Sequence, residues 1–397
     1  MSLIKKIAFV GLQVRCGKTI VQHLTNRFQF TQLSFRVTQQ SCQWILRQGG
    51  AVLLVSEMPT SSSQRSEYCS VGSGQLRTEH HHKYNRVHEF VDANTYRGFL
   101  YDHPETYPVD SACNVAFEVS SVDKMVARLR AAGCEILAPP HTIGDSTGEV
   151  SVAIVASPVG NVRHTLVERI DGDPAVFLPG FVREHQSSFC VQDSSHVDSV
   201  DHVTYALPPG QWEHVLAWYS RNFDFKRHFV NRLDNEKEGC VLQGVGVGMR
   251  LAAMNVADCM LVLAESIPGP GLNQVAMFLS KHQGPGIQHL ALHSRDIVEH
   301  VTCLQNSGVD FFRPPVAYYK QVLERNSVSK KYCLEILERL GILLDMDEEG
   351  SLLQAFTLPI FKEDTFFLEI IQRCHSRGFG AGNIRALWHT VQAYMDG

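Results

Sequence analysis

Short apolar blocks recur along the chain, and their period switches between two residues and three to four. Strand-like openings of this kind start near residues 4, 113, 200 and 287. KIAFVGL from Lys6 and HVTYALP from His202 are two of them. Each is followed about 20 residues later by an F-x-F pair, Phe28 with Phe30 and Phe223 with Phe225. SVAIVAS, GILLDMD and SLLQAFT read as later antiparallel strands, the last two joined by a turn at Asp347 to Gly350.

Two stretches align without a gap: NVAFEVSSVDKMVARLRAAGCEILAPP, from Asn114 to Pro140, and HLALHSRDIVEHVTCLQNSGVDFFRPP, from His289 to Pro315. Each reads as a strand, an amphipathic helix, a turn at Gly133 or Gly308, and a second strand closed by the double proline. Met125, Leu129 and Ala132 set the helix phase. The layout is α+β, with four βαβββ modules. They pair into an N-terminal domain over residues 1–182 and a C-terminal domain over residues 200–397. A Ser-, Gly-, Gln- and His-rich stretch at 58–90 reads as an inserted loop, and 183–199 as the linker.

With 44% hydrophobic and 19% charged residues in 397, the chain reads as folded, and its net charge of -5 argues against a nucleic-acid partner. No apolar run reaches the ~18–20 residues of a membrane-spanning helix. Eleven scattered cysteines without a C-x-x-C pair argue against a zinc ribbon or a full disulfide framework. Met1 to Ser56 carries seven Lys and Arg and no acid. That pattern reads as a mitochondrial import segment. The competing reading is a basic first module retained in a cytoplasmic protein, since a strand pattern begins at Ile4.

Lys6, Asn114, His202 and His289 take the corresponding place in the four opening strands. Histidine there only in the C-terminal pair fits a ligand better than a scaffold residue. In TFFLEIIQR, strand alternation sets Phe367, Glu369 and Ile371 on one face, where a carboxylate is costly unless paired or bound to metal. Two His and one carboxylate form the facial triad of non-haem Fe(II) oxygenases. Taken singly, each of the three also reads as a paired core residue.

GPGIQHLALHSRDIVEHV at Gly284 to Val301, RPPVAYYKQ from Arg313, GSLLQAFTLP from Gly350, TFFLEIIQR, RGFGAGNIRALW from Arg377, and VDHVTYAL from Val200 resemble the 4-hydroxyphenylpyruvate dioxygenases. They cover most of the C-terminal domain, whereas the N-terminal half is similar in layout alone. The resemblance implies a vicinal-oxygen-chelate fold of two open barrels, with Fe(II) held by His202, His289 and Glu369. It implies Gln274, Gln288 and Gln354 around the site, Phe356 and Phe379 as its aromatic wall, and Asn383 on a C-terminal helix over the entrance. A homodimer is expected because family members are often dimers.

Gly248 stands where the family has a serine, and Val262 and Ala264 where it has Pro and Asn, so polar contacts to substrate are lost. The family's GNF motif becomes Gly382-Asn383-Ile384. Relatives that make 4-hydroxymandelate carry an aliphatic residue there. The resemblance thus implies an aryl pyruvate and O2 as substrates. The expected conversion is 4-hydroxyphenylpyruvate to 4-hydroxymandelate with loss of CO2, supplying a quinone ring precursor such as that of ubiquinone. The alternatives are homogentisate as product, in tyrosine catabolism, and a non-catalytic binding protein of the same fold. An extradiol or glyoxalase-like enzyme is disfavoured by the C-terminal motif. GLQVRCGKT from Gly11 resembles a phosphate-binding loop but has five residues between its glycines instead of four. His80 to His82 read as a solvated run.

Overall fold

The computed structural model describes residues 2–38, 40–57, 98–173, 176–183, 196–229, 234–244, 247–269, 273–324, 332–347, 349–376, 378–380 and 383. The inserted loop at 58–90, the His80 to His82 run and Ile384 lie outside the described residues.

The N-terminal sheet contains β1 (Ile4–Val14), β2 (Thr31–Val37), β3 (Cys42–Gln48), β4 (Ala51–Glu57), β5 (Ser111–Val119), β6 (Ile136–Asp145), β7 (Gly148–Ala156), β8 (Arg163–Gly172) and β9 (Val182–Arg183). Their spatial order is β6-β7-β8-β5-β1-β4-β3-β2-β9. The second sheet contains β10 (Val197–Leu207), β11 (Lys226–His228), β12 (Asp234–Asn235), β13 (Gly239–Gly244), β14 (Val247–Val256), β15 (Cys259–Ser266), β16 (Gly286–Ser294), β17 (Leu343–Met346), β18 (Ser351–Phe356) and β19 (Phe367–Cys374). Its order is β12-β13-β14-β15-β10-β16-β19-β18-β17, with β11 against β14. In every module the first strand runs parallel to the last: β1 to β4, β5 to β8, β10 to β15 and β16 to β19. Modules join through antiparallel pairs of first strands, β1 with β5 and β10 with β16. This is the paired βαβββ arrangement of the vicinal-oxygen-chelate fold. Arg183 closes the first sheet and β10 starts at Val197, so strand reaches into both ends of the expected 183–199 linker.

The repeated helices form for repeated reasons. The first helix of the second module, Val122–Ala131, is capped by Ser121, whose side chain accepts from the Lys124 N–H. Its counterpart in the fourth module, Ile297–Asn306, is capped by Asp296 in the same way. Both chains then turn at a glycine with positive φ, Gly133 (+76°) and Gly308 (+84°). Val122, Met125, Val126 and Leu129 face the core, while Ala132, expected on that face, is exposed at the helix end. The double proline does not end the strand in the second module. Pro139 and Pro140 lie inside β6, at a register irregularity between Ala138 and His141. β6 is the sheet edge, where a missing N–H donor breaks no ladder. In the fourth module Pro314 and Pro315 lead into a helix, Val316–Glu324.

Alternation along β10 separates two interiors. Val203, Tyr205 and Leu207 enter a large apolar core under the helices, which also takes Val10, Leu12 and Phe117 from the N-terminal half. His202, Thr204 and Ala206 point the other way, into the barrel. Ala206 packs there with Met249, Leu251, Ala253, Val262, Ala264 and Phe379.

Candidate metal centre

The side chains of His202, Glu369 and His289 meet inside the C-terminal barrel, carried by the three adjacent strands β10, β19 and β16. One ligand atom from each lies within 4.8 Å of the others. His202 Nε2 and His289 Nε2 each lie 3.4 Å from the same oxygen, Glu369 Oε2. His202 is 2% exposed and Glu369 1%.

Each histidine is oriented by the residue just before it. β10 and β16 carry register irregularities at Asp201 and Gln288, so one strand fits two residues opposite one. The bulge brings neighbours that would otherwise point to opposite faces to the same side. His202 Nδ1 donates to Asp201 Oδ1 at 2.8 Å, and His289 Nδ1 donates to Gln288 Oε1 at 3.1 Å. With the proton fixed on Nδ1, each Nε2 lone pair is directed at the shared centre. Glu369 is likewise half engaged. Oε1 accepts from Gln354 Nε2 at 2.8 Å, leaving Oε2 toward the histidines. Two imidazole nitrogens and one carboxylate oxygen, buried together with their outer atoms already bonded, fit a metal ion of the facial-triad type.

Electrostatics agrees with that fit. Burial favours protonation of Glu369, but the two histidines outweigh it and hold its pKa down at about 2. Burial also opposes charge on His202, yet Glu369 and Asp201 raise its pKa to about 9. His289 moves the other way, lowered chiefly by burial. The cluster therefore holds one extra proton where a cation fits.

Asp201 is pinned by Arg373, whose Nε and Nη2 reach its two oxygens at 2.7 and 2.8 Å. Arg373 also donates to the Gly378 carbonyl at 2.6 Å and lies over the Phe379 ring at 5.2 Å. This support escaped the sequence reading. Asp201 touches a candidate ligand in sequence, and Arg373 lies on the face of Glu369 two strand periods along, so the signal was alternation plus a bulge.

The other expected site residues distribute around this centre. Phe379 meets His202 edge-on, with centroids 5.1 Å apart. Phe356 is 6.5 Å from His289, and Phe367, absent from the expected wall, stacks on His289 at 4.8 Å. Asn383 is fully buried, donating to Gln354 Oε1 at 2.8 Å while its Oδ1 accepts from the Tyr318 hydroxyl at 2.7 Å. Gly380, with φ of +68°, passes so close to Gln354 Oε1 that a Cβ would collide with it. Gln274 starts the helix Gln274–His282 on another wall, its amide directed at Met249 Sδ. At Gly248 a Cβ would press on the Ile267 carbonyl oxygen, so the family's serine does not fit this backbone. Val262 and Ala264 are buried in the apolar cluster beside the triad.

Strand register corrects one correspondence. In the N-terminal barrel Phe9 pairs with Ala116 and Gly11 with Asn114; in the C-terminal barrel His202 pairs with Ala291 and Thr204 with His289. The counterpart of His202 is therefore Phe9, not the exposed Lys6. Asn114 does match His289, and Thr165 matches Glu369. The same two bulges recur, at Ala8 and Cys113. Asn114 Nδ2 and Thr165 Oγ1 both donate to the Tyr101 carbonyl, at 3.2 and 2.8 Å, so backbone lies where the other barrel gathers its ligands. The Gly11 to Thr19 stretch likewise leaves no phosphate cradle, for Glu57 Oε2 accepts from the Gly17 N–H at the start of the helix Gly17–Asn26.

The chain is 35% identical over 396 residues to the 4-hydroxyphenylpyruvate dioxygenase-like protein of Homo sapiens, covering 98% of this chain and 96% of that one. It is 31% identical over 332 residues to the 4-hydroxyphenylpyruvate dioxygenase of Dictyostelium discoideum, covering 82% and 89%. A solved mutant of 4-hydroxymandelate synthase from Streptomyces coelicolor aligns over 100% of both chains, with a TM-score of 0.74 at 25% identity. No family model matches the chain.

Proposed function

The chain belongs to the 4-hydroxyphenylpyruvate dioxygenase family and is a non-haem iron dioxygenase, and from that premise we propose that it converts 4-hydroxyphenylpyruvate and O2 to 4-hydroxymandelate and CO2. The observation that carries the reading is the convergence of His202, His289 and Glu369 in one buried centre beside an apolar wall. Their Nε2, Nε2 and Oε2 atoms would hold Fe(II). When bound, the iron supplies O2 activation coupled to oxidative decarboxylation of an α-keto acid. One oxygen atom enters the new carboxylate and the other the benzylic carbon, so the reaction balances without an outside reductant.

The protein's own share is positioning. Asp201 and Gln288 fix the histidine tautomers, and Gln354 holds one Glu369 oxygen. Phe356, Phe367 and Phe379 form an apolar, water-excluding surround for an aryl ring. Ile384, where the family has Phe, supports the benzylic outcome. An aliphatic side chain gives the ring no flat support, so it settles with its benzylic C–H toward the oxidant. The product suits a route that builds a quinone ring, and the basic first 56 residues support a mitochondrial location. Incubation of iron-loaded protein with 4-hydroxyphenylpyruvate under O2, with chromatographic separation of products, tests this. 4-Hydroxymandelate is expected. Homogentisate as the main product would overturn the Ile384 argument, and no turnover would overturn the enzyme assignment.

A further inference from the structure

Around the triad, Asp201, Gln288, Gln354, Arg373 and Asn383 each engage a ligand side chain or one another. Thr204, on the same wall, does not. It is 1% exposed, and Oγ1 has no hydrogen-bond partner among the described residues. Leaving such a hydroxyl unsatisfied disfavours folding, and valine would fill the same space in a strand without that cost.

Its position gives the hydroxyl a use. Thr204 follows His202 by two residues, so both point into the barrel. Across the sheet it pairs with His289 on one side and with Val262 on the other. Directly opposed side chains lie about 4.5–5.5 Å apart at Cβ, so Thr204 reaches groups lying against His289. Beyond it, Ala206, Leu251, Ala253, Val262 and Ala264 form an apolar wall. Thr204 therefore marks the border between the ligand centre and the surface suited to an aromatic ring.

We propose that Thr204 is a substrate-contacting residue whose hydroxyl donates a hydrogen bond to the α-keto acid end of the substrate, beside His289. The inference rests on the reading of the triad as the centre that receives an aryl pyruvate. The ring hydroxyl of 4-hydroxyphenylpyruvate lies at the opposite end of that molecule and is not the group addressed. Thr204 thus offers a polar contact on a wall where Gly248, Val262 and Ala264 have removed others.

The test uses full-length iron-loaded protein without O2, titrated with 4-hydroxyphenylpyruvate and with phenylpyruvate. Thr204→Val is expected to weaken both keto acids by a similar factor, roughly 3- to 10-fold. Thr204→Ser, which keeps the hydroxyl, should bind both within twofold of wild type, and iron content should be unchanged in both variants. The unfolding temperature of the valine variant should equal or exceed that of wild type, since no internal bond is broken. Equal affinity in wild type and Thr204→Val overturns the proposal. So does a loss confined to 4-hydroxyphenylpyruvate, which would assign the hydroxyl to the ring end. Wild-type protein that binds iron but neither keto acid would refute the functional reading itself, and this inference with it.

Discussion

Asp201 immediately precedes His202 and accepts a hydrogen bond from its Nδ1 at 2.8 Å, while Arg373 grips the same carboxylate from across the sheet. Asp201→Ala would leave the Nδ1–H without its acceptor and a largely buried guanidinium without its carboxylate. Iron affinity is expected to fall about 10- to 100-fold, with the triad itself intact. Competition for iron with a chelator of known affinity measures this, and unchanged affinity would show that the pair does not orient the ligand.

Removing a ligand acts more severely. His289→Ala should abolish stoichiometric iron binding and turnover together, read by metal analysis and by oxygen consumption. A protein that kept both would exclude His289 from the centre.

The metal-free centre should respond to pH in a defined direction. Burial opposes charge on His202, but Glu369 and Asp201 raise its pKa to about 9, above its ordinary 6.5. The stabilisation from that proton is complete below pH 6.5 and is lost as pH rises through 9. Chelator-treated protein should therefore lose unfolding temperature between pH 6.5 and 9, while its iron affinity rises because the metal must displace the proton. His202→Gln should flatten the melting profile over that interval. A wild-type profile already flat there would contradict the assignment.

Gly380→Ala tests the link between the C-terminal segment and Glu369. The new Cβ collides with Gln354 Oε1, at a backbone angle that L-residues resist. Displacing Gln354 releases Glu369 Oε1 and Asn383 together. The expected cost is about 1–3 kcal/mol of stability, with a loss in kcat/KM. Denaturant melts and steady-state kinetics check both.

Ile384→Phe should move the product from 4-hydroxymandelate toward homogentisate, by giving the ring a flat support. Product ratios by chromatography decide it, and an unchanged ratio would remove Ile384 as the determinant.

The triad was legible because its members lie on strands whose repeat and alternation can be read from one-dimensional spacing. His289 and Asn114 align without a gap, and Glu369 stands out as a charge on an apolar face. Lys6 was misplaced because KIAFVGL and HVTYALP share little beyond an apolar strand pattern, which aligns as readily three residues out of step; both strands carry the same bulges, and only the register shows Phe9 instead. Asp201 and Arg373 went unread for a related reason, since neighbours in an ideal strand face apart and only a bulge turns Asp201 toward His202. The Pro139-Pro140 pair misled because whether a proline ends a strand depends on whether that strand is an edge. Edge position is a property of the assembled sheet.

The Tyr101 carbonyl, held by Asn114 and Thr165, has a consequence for any attempt to give the chain a second centre. The N-terminal barrel in effect carries its own occupant, tethered by the chain and so present at a high effective concentration that any added ligand would have to overcome. Exchanging Phe9, Asn114 and Thr165 for His, His and Glu would therefore be insufficient, because the chain segment around Tyr101 would still have to be evicted.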